Sequence, residues 1–349
     1  MTNKEATSIV PLLETVAEKG GSDLHLIVGR KPFLRLHGKL LEFEGAAVLS
    51  DKQVKDLIYG TLSAEKQKEI ETERELDYAY EIPSGERFRV NIHWQKGGLG
   101  LAARLIPKKI PTPDDLGLTP EMQKLLTLPN GLILVTGPTG CGKSTTLAAM
   151  INQINLTSAK NIITLEDPIE FVYTEAESIV RQREVGSDSL NFAAGLKHML
   201  RQDPNIILVG EMRDLETIST TLTLAETGHL VFATLHTNNA ATTVQRIVDV
   251  FPEFQQMQIK IQLAMTLRAV ISQQLFPLPK GGRIAAREFL INTPASANLI
   301  RENKPEQIGN VIQTASKLGM FTLEQDIKRL MAKGLIAKED AARFGVVKK

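Results

Sequence analysis

The stretch GLILVTGPTGCGKSTTLAAMINQI, residues 131–154, decides the fold. It reads as a buried apolar strand, a glycine-rich turn and a helix. Gly137, Gly142, Lys143 and Ser144 fit G-x-x-x-x-G-K-[ST] in the strand–turn–helix context that this motif requires. The loop Gly137, Pro138, Thr139, Gly140, Cys141, Gly142, Lys143, Ser144 and Thr145 can turn its backbone N–H groups, which Pro138 alone lacks, inward to cradle phosphate oxygens. The helix start adds its partial positive charge. Lys143 is placed to reach the β- and γ-phosphates of a nucleotide, and Ser144 to ligate Mg²⁺. A glycine-rich turn without a ligand would leave a lysine at a helix start with no anionic partner. Cys141 reads as a small filler residue, with a redox switch as the alternative.

Downstream, apolar strands Ile162 to Leu165, Ile206 to Val209 and Val231 to Leu235 alternate with helical stretches at about 143–155, 190–200, 214–226 and 239–249. Continuous apolar strands between helices predict a parallel sheet covered on both faces. Ligands bind at the carboxyl ends of such strands. Three acidic or histidine elements fall next to these strands. Glu166-Asp167-Pro168-Ile169-Glu170 places three carboxylates after one strand, where one can deprotonate water and another can hold Mg²⁺. Glu211 ends the strand IILV as in a Walker B element, with Mg²⁺ coordination through ordered water as its role. His229 and His236 bracket the strand LVFATL and are expected at the same sheet edge. Their spacing is not that of zinc ligands, so a phosphate-sensing or subunit-bridging role is expected instead.

The 349 residues suggest about two domains. Residues 7–19 form an amphipathic helix. Short alternating segments follow, at Leu24 to Val28, Phe33 to Leu36, Leu76 to Tyr80, Phe88 to Ile92 and Leu99 to Leu105. Helical stretches at about 51–59 and 63–73 interrupt them. This is a small α/β domain of mostly antiparallel strands. Pro107, Pro111, Pro113 and Pro120 mark a connector of limited flexibility. The expected division is therefore 1–106, a linker over 107–120, a nucleotide-binding core over 121–292, and a helical region over 293–349 with helices at 295–302, 305–315, 322–332 and 338–344.

Lys plus Arg is 41 and Asp plus Glu is 40, a net charge of +1. A protein that reads nucleic acid by bulk charge is not expected from that balance. The single cysteine points to a cytosolic setting. The most apolar runs, LILV at 132–135 and IILV at 206–209, are four residues long, far short of the roughly twenty of a spanning helix. Membrane association is expected only through a protein partner.

The combination resembles the secretion ATPases of type II and type IV pilus systems, and within them the PilT subgroup, the pilus retraction ATPases. The resemblance rests on SDLHL (22–26), RFRVN (87–91), GPTGCGKSTTLAAM (137–150), ITLEDPIEFVY (163–173), QREVG (182–186), DPNIILVGEMRDLETI (203–218), TGHLVFATLHT (227–237), RIVDVFP (246–252) and AVISQQL (269–275). It implies a PAS-like N-terminal α/β domain, a RecA-like P-loop ATPase domain with a helical C-terminal tail, and a cytoplasmic homohexamer docked on an inner-membrane platform protein. By motif position it implies Lys143 and Ser144 at the phosphates, Glu166 and Glu170 in the acidic box with Glu170 favoured as the base, Glu211 as Walker B, and His229 and His236 as the histidine box. Arg89 and Arg104 resemble arginines that reach the nucleotide as fingers. The subgroup's C-terminal A-I-R-N-L-I-R-E reads Ala295-Ser296-Ala297-Asn298-Leu299-Ile300-Arg301-Glu302 here, with small residues in place of an Ile and an Arg. An accessory PilU-like paralogue and an extension or type II secretion ATPase are the alternatives within the family. A RecA-like DNA motor is the alternative outside it.

Overall fold

The computed structural model of the protein describes residues 8–36, 38–107, 109–279 and 281–342. The chain forms two compact units, divided between Lys109 and Ile110. Residue 7 of the first expected helix and residues 343–344 of the last lie outside the described residues.

The first unit carries β1 (Asp23–Ile27), β2 (Phe33–Leu36), β3 (Lys39–Glu42), β4 (Glu75–Glu81), β5 (Arg87–Gln95) and β6 (Gly98–Ile106) in the order β3-β2-β1-β6-β5-β4. Every neighbouring pair is antiparallel. Leu24, Leu26, Val90, Ile92, Leu101 and Ala103 form the buried face. Against it lie Leu13 and Val16 of helix Val10–Glu18, Val54, Leu57 and Ile58 of helix Asp51–Tyr59, and Ile70 of helix Ala64–Glu73. Ser50 and Gln53 form a capping box that starts the second of these helices. Strand β3 was not among the expected elements because all four of its residues are exposed, so it has no burial alternation to read.

The second unit holds β7 (Gly131–Thr136), β8 (Asn161–Glu166), β9 (Ile179–Glu184), β10 (Ile206–Val209), β11 (Leu230–Leu235), β12 (Leu267–Pro277) and β13 (Arg283–Ile291). The order is β13-β12-β7-β11-β10-β8-β9, parallel except for the antiparallel hairpin β12–β13. This is the α/β, RecA-like architecture. Strand alternation divides the apolar residues between two cores. Leu132 and Leu134 face one core, with helices Leu215–Glu226, Ala240–Asp249 and Glu253–Thr266. Ile133 and Val135 face the other, with helix Lys143–Thr157. Such two-sided burial is why the central strands are continuously apolar.

From Ile110 onward the proline-rich stretch belongs to this second unit. Leu118, Met122 and Leu125 are buried in the core beneath helix Lys143–Thr157, so the stretch after Lys109 is a packed strap rather than a free connector. Helix Glu253–Thr266 and strands β9, β12 and β13 were absent from the expected elements. The tail is helical at Pro294–Arg301, Ile308–Thr314, Leu323–Ala332 and Lys338–Ala342. Among the described residues, no helix is long and apolar enough to cross a membrane.

Candidate active site

Strand β7 ends at Thr136, and the loop 137–142 leads into helix Lys143–Thr157. Two glycines are required by geometry. Gly137 has φ 141°, and a Cβ there would lie 2.3 Å from the Gln273 carbonyl oxygen and 2.6 Å from Cys141 Sγ. Gly142 caps the helix at φ 88°, in the left-handed region that a side chain disfavours. The loop is braced from β12. Gln273 Nε2 donates to the Cys141 carbonyl at 2.8 Å, and Thr146 Oγ1 donates to Gln273 Oε1 at 2.9 Å. Thr136 Oγ1 donates to Ser272 Oγ at 2.8 Å. Cys141 is buried, and burial pushes its thiol above the ordinary value. It is filler behind Gly137, since a reactive thiol needs the opposite shift.

Lys143 is buried, and burial pulls its ammonium below the ordinary value, against the opposing fields of Cys141, Glu211 and Glu170. Its Nζ donates to the Gly137 carbonyl at 2.8 Å and to the Pro138 carbonyl at 3.1 Å, and it faces His236 Nδ1 at 3.3 Å. An ammonium has three protons; two are engaged by the loop and one faces His236, so they must be redirected to meet a phosphate. Because Nδ1 faces a cation, His236 carries its proton on Nε2, which meets Glu211 Oε1 at 3.0 Å. Thr139 Oγ1 lies 3.5 Å from the same Nδ1. Glu211 Oε2 pairs with Arg213 at 2.9 Å. Burial raises the Glu211 carboxyl, but the hydrogen bonds from Arg213 and His236 and the Arg213 charge outweigh it and leave the group below its ordinary value. A continuous polar chain thus runs Lys143–His236–Glu211–Arg213 across the carboxyl ends of β7, β11 and β10.

The acidic box follows β8. The Glu166 carboxyl is enclosed, and burial pushes it up to about 7 despite hydrogen bonds from Thr164 Oγ1 at 2.7 Å and Gln182 Nε2 at 3.3 Å. A carboxyl with that value is about half protonated at pH 7. Glu170 is exposed on an extended segment, and its field reaches both Lys143 and Glu166. The Asp167–Pro168 bond between them is cis.

One expectation is corrected. His229 does not share an edge with His236. It precedes β11, so it lies at the amino end of a six-residue strand, about 20 Å from the carboxyl end at ~3.3 Å per residue. Its Nδ1 lies 2.9 Å from the Leu224 carbonyl and 3.2 Å from Thr227 Oγ1. Arg89 and Arg104 sit in the first unit as register partners on β5 and β6. Arg104 Nε pairs with buried Asp23 at 2.8 Å while most of its side chain is exposed. Sequence reasoning missed Gln273 and Arg213 as site residues. Arg213 and Gln273 lie in the quoted GEMRD and AVISQQL segments, but no spacing rule ties them to a phosphate loop.

Residues 112–281 match the family described as "Type II/IV secretion system protein". The type IV pilus retraction ATPase PilT of Pseudomonas aeruginosa is 49% identical over 333 residues, 95% of this chain and 96% of that one. The chain belongs to the pilus ATPases of the type II/IV secretion family. The PilU pilus ATPase of the same organism is 38% identical over 331 residues, 95% of this chain and 86% of PilU. A crystal structure described as the pilus retraction motor PilT with bound ADP superposes with TM-score 0.90 at 43% identity, covering 98% of this chain and 97% of that one. As a member of this family the chain is an ATPase.

Proposed function

We infer that the chain is a mechanochemical ATPase that drives type IV pilus retraction and so twitching motility. The observation that carries the inference is the convergence of Lys143, His236 and Glu211 at the carboxyl edge of the parallel sheet, beside the acidic segment that bears Glu170. The higher identity to PilT than to PilU from one organism favours retraction over the accessory role.

The substrate in this reading is ATP. Its phosphates take the backbone N–H groups of residues 137 and 139–145, and Lys143 turns from its own loop carbonyls to the β- and γ-oxygens. Hard oxygen donors suit Mg²⁺, and Ser144 and Glu211 supply a hydroxyl and a carboxylate, the latter acting through water. When bound, Mg²⁺ neutralises charge on the phosphates. Glu170 is the general base, being exposed where Glu166 is enclosed and tied by hydrogen bonds to Thr164 and Gln182. His236 carries the state of the phosphate site to Glu211. His229, at the other end of the strand, bridges to a neighbouring subunit. Arg104 and Arg89 serve as fingers that stabilise the transferring phosphoryl group, a task for which a planar guanidinium is suited. The working assembly is a homohexamer on an inner-membrane platform protein at the cytoplasmic face. The chain divides into an N-terminal PAS-like domain, a RecA-like core and a helical C-terminal region.

Steady-state phosphate release, measured with and without single-stranded DNA and paired with a sizing column, tests the activity. DNA-independent turnover by a ring is expected, and strict DNA dependence would overturn the reading. Deleting the gene tests the direction: hyperpiliated, non-twitching cells support retraction, and bald cells overturn it in favour of extension.

A further inference from the structure

The motif Gln182-Arg183-Glu184-Val185-Gly186 has no part in the chemistry described above, yet two of its side chains hold the acidic segment in place. Strand β9 is the edge of the seven-stranded sheet. Gln182 and Glu184 stand two residues apart on it, so they project from the same face. The segment 169–173 carries Ile169, Phe171 and Tyr173 buried, and Glu170 and Val172 exposed. This is strand-like alternation in a segment that joins no ladder.

Side chains replace the missing ladder. The Ile169 N–H donates to Glu184 Oε2 at 3.0 Å. The Tyr173 N–H donates to Gln182 Oε1 at 3.0 Å, and Gln182 Nε2 donates to the Phe171 carbonyl at 2.7 Å. The same amide nitrogen reaches Glu166 Oε1 at 3.3 Å. The held groups at 169 and 171 are the immediate neighbours of Glu170 on either side. Glu184 is 6% exposed, and its own N–H is fixed by Asp188 Oδ2 at 2.9 Å, so the anchor is itself anchored. Buried backbone N–H and carbonyl groups must find partners somewhere. Here the partners are supplied so that one exposed carboxylate between them is fixed in position.

We propose that Gln182 and Glu184 are positioning residues that fix the backbone on both sides of Glu170 and thereby aim its carboxylate at the attacking water. The proposal rests on the reading of Glu170 as the base. Each acts on Glu170 through the backbone beside it rather than on the reacting atoms, and Gln182 also meets Glu166 Oε1. A displacement of about 1 Å of a catalytic group costs on the order of 10²-fold in rate. A substitution that frees the segment should therefore lower the chemical rate while leaving the phosphate loop able to bind.

The test is a double-mutant cycle on the full-length protein, read by single-turnover ATP hydrolysis and by equilibrium ATP affinity. The variants are Gln182→Leu, Glu184→Leu and Glu184→Gln, each alone and combined with Glu170→Gln. Gln182→Leu and Glu184→Leu should each lower the rate by about 10- to 100-fold, with ATP affinity within about twofold of wild type. Glu184→Gln keeps a carbonyl oxygen for the Ile169 N–H and should retain most of the rate. In the Glu170→Gln background the leucine changes should cost less than about twofold more, because the group they aim is already gone. Gln182 is half-buried and carries the test if Glu184→Leu fails to fold. If Glu170→Gln is severely impaired while the leucine variants hydrolyse normally, or if the losses multiply in the double variants, the positioning role is overturned and the base survives. Parallel loss of rate and affinity would also overturn it, as a general structural role. If Glu170→Gln hydrolyses normally, the base assignment fails first and the positioning role goes with it.

Discussion

The two ends of strand β11 carry the same residue type in opposite circumstances. At the carboxyl end, His236 joins a lysine to a carboxylate across three strands, and each of its ring nitrogens faces a charged group. At the amino end, His229 turns its Nδ1 to a carbonyl and a hydroxyl within five residues of itself. The carboxyl edge of a parallel sheet gathers side chains from non-adjacent stretches, because each strand exits there into a loop of its own. At the amino end the histidine's ring contacts are local. Identity of residue and proximity in sequence therefore say little about role; the end of the strand decides it.

The largest effect that would break this comparison is at the lysine. Lys143→Ala should reduce phosphate release to background, since no other residue among those described takes its place beside the loop carbonyls. Normal release by a folded Lys143→Ala protein would remove the carboxyl edge from the mechanism. Next comes the base: Glu170→Gln should lower single-turnover hydrolysis by roughly 10² to 10⁴ while ATP still binds. A larger loss from Glu166→Gln would transfer the role to the enclosed carboxyl.

His236→Ala should lower turnover by about 10²-fold, the scale of losing one preorganised polar group at a reacting centre. Phosphate-release kinetics of that variant sharpen the comparison when set against its counterpart at the far end of the strand. Glu166 supplies a pH test of the same edge. Burial raises its folded value to about 7 from an ordinary 4.5, so the folded protein binds the extra proton between those values. The stability it contributes is fully present below pH 4.5 and is lost as pH rises through about 7. Glu166→Gln removes that loss. Relative to wild type it should therefore gain roughly 3 kcal/mol between pH 5 and pH 8, at about 1.4 kcal/mol per pKa unit. Denaturant midpoints at the two pH values read the difference, and equal midpoint shifts at both would contradict an enclosed Glu166. The smallest effect is at the amino end, where His229→Ala should leave ATP affinity of the isolated chain within about twofold. A tenfold weakening, measured by equilibrium binding, would mean that the two ends are coupled after all.

Much of the site was legible because its parts are local. The phosphate loop is nine consecutive residues whose spacing is dictated by the size of a phosphate. Glu211 announces itself by ending a fully apolar strand. His229 was misplaced because a strand of six residues reads as a short interval in sequence but spans about 20 Å in space. Gln273 was not legible as a brace, since the residue it meets at Cys141 lies 132 positions away. Strand β9 reads IVRQRE, with little apolar alternation, and what betrays it is its pairing with β8.

From the residues alone came the alternation of strands and helices, the phosphate loop and the identity of its lysine, and the acidic groups that follow β8 and β10. Those features follow from periodicity and from chemistry confined to a few adjacent positions. Which of two glutamates stands exposed, which of two histidines faces the lysine, and which side chains hold the acidic segment followed from folding. Each is a matter of contacts between stretches far apart in the chain. Such contacts depend on strand order, strand direction and the cover that neighbouring elements provide, and none of these is written in the spacing of residues along a single segment.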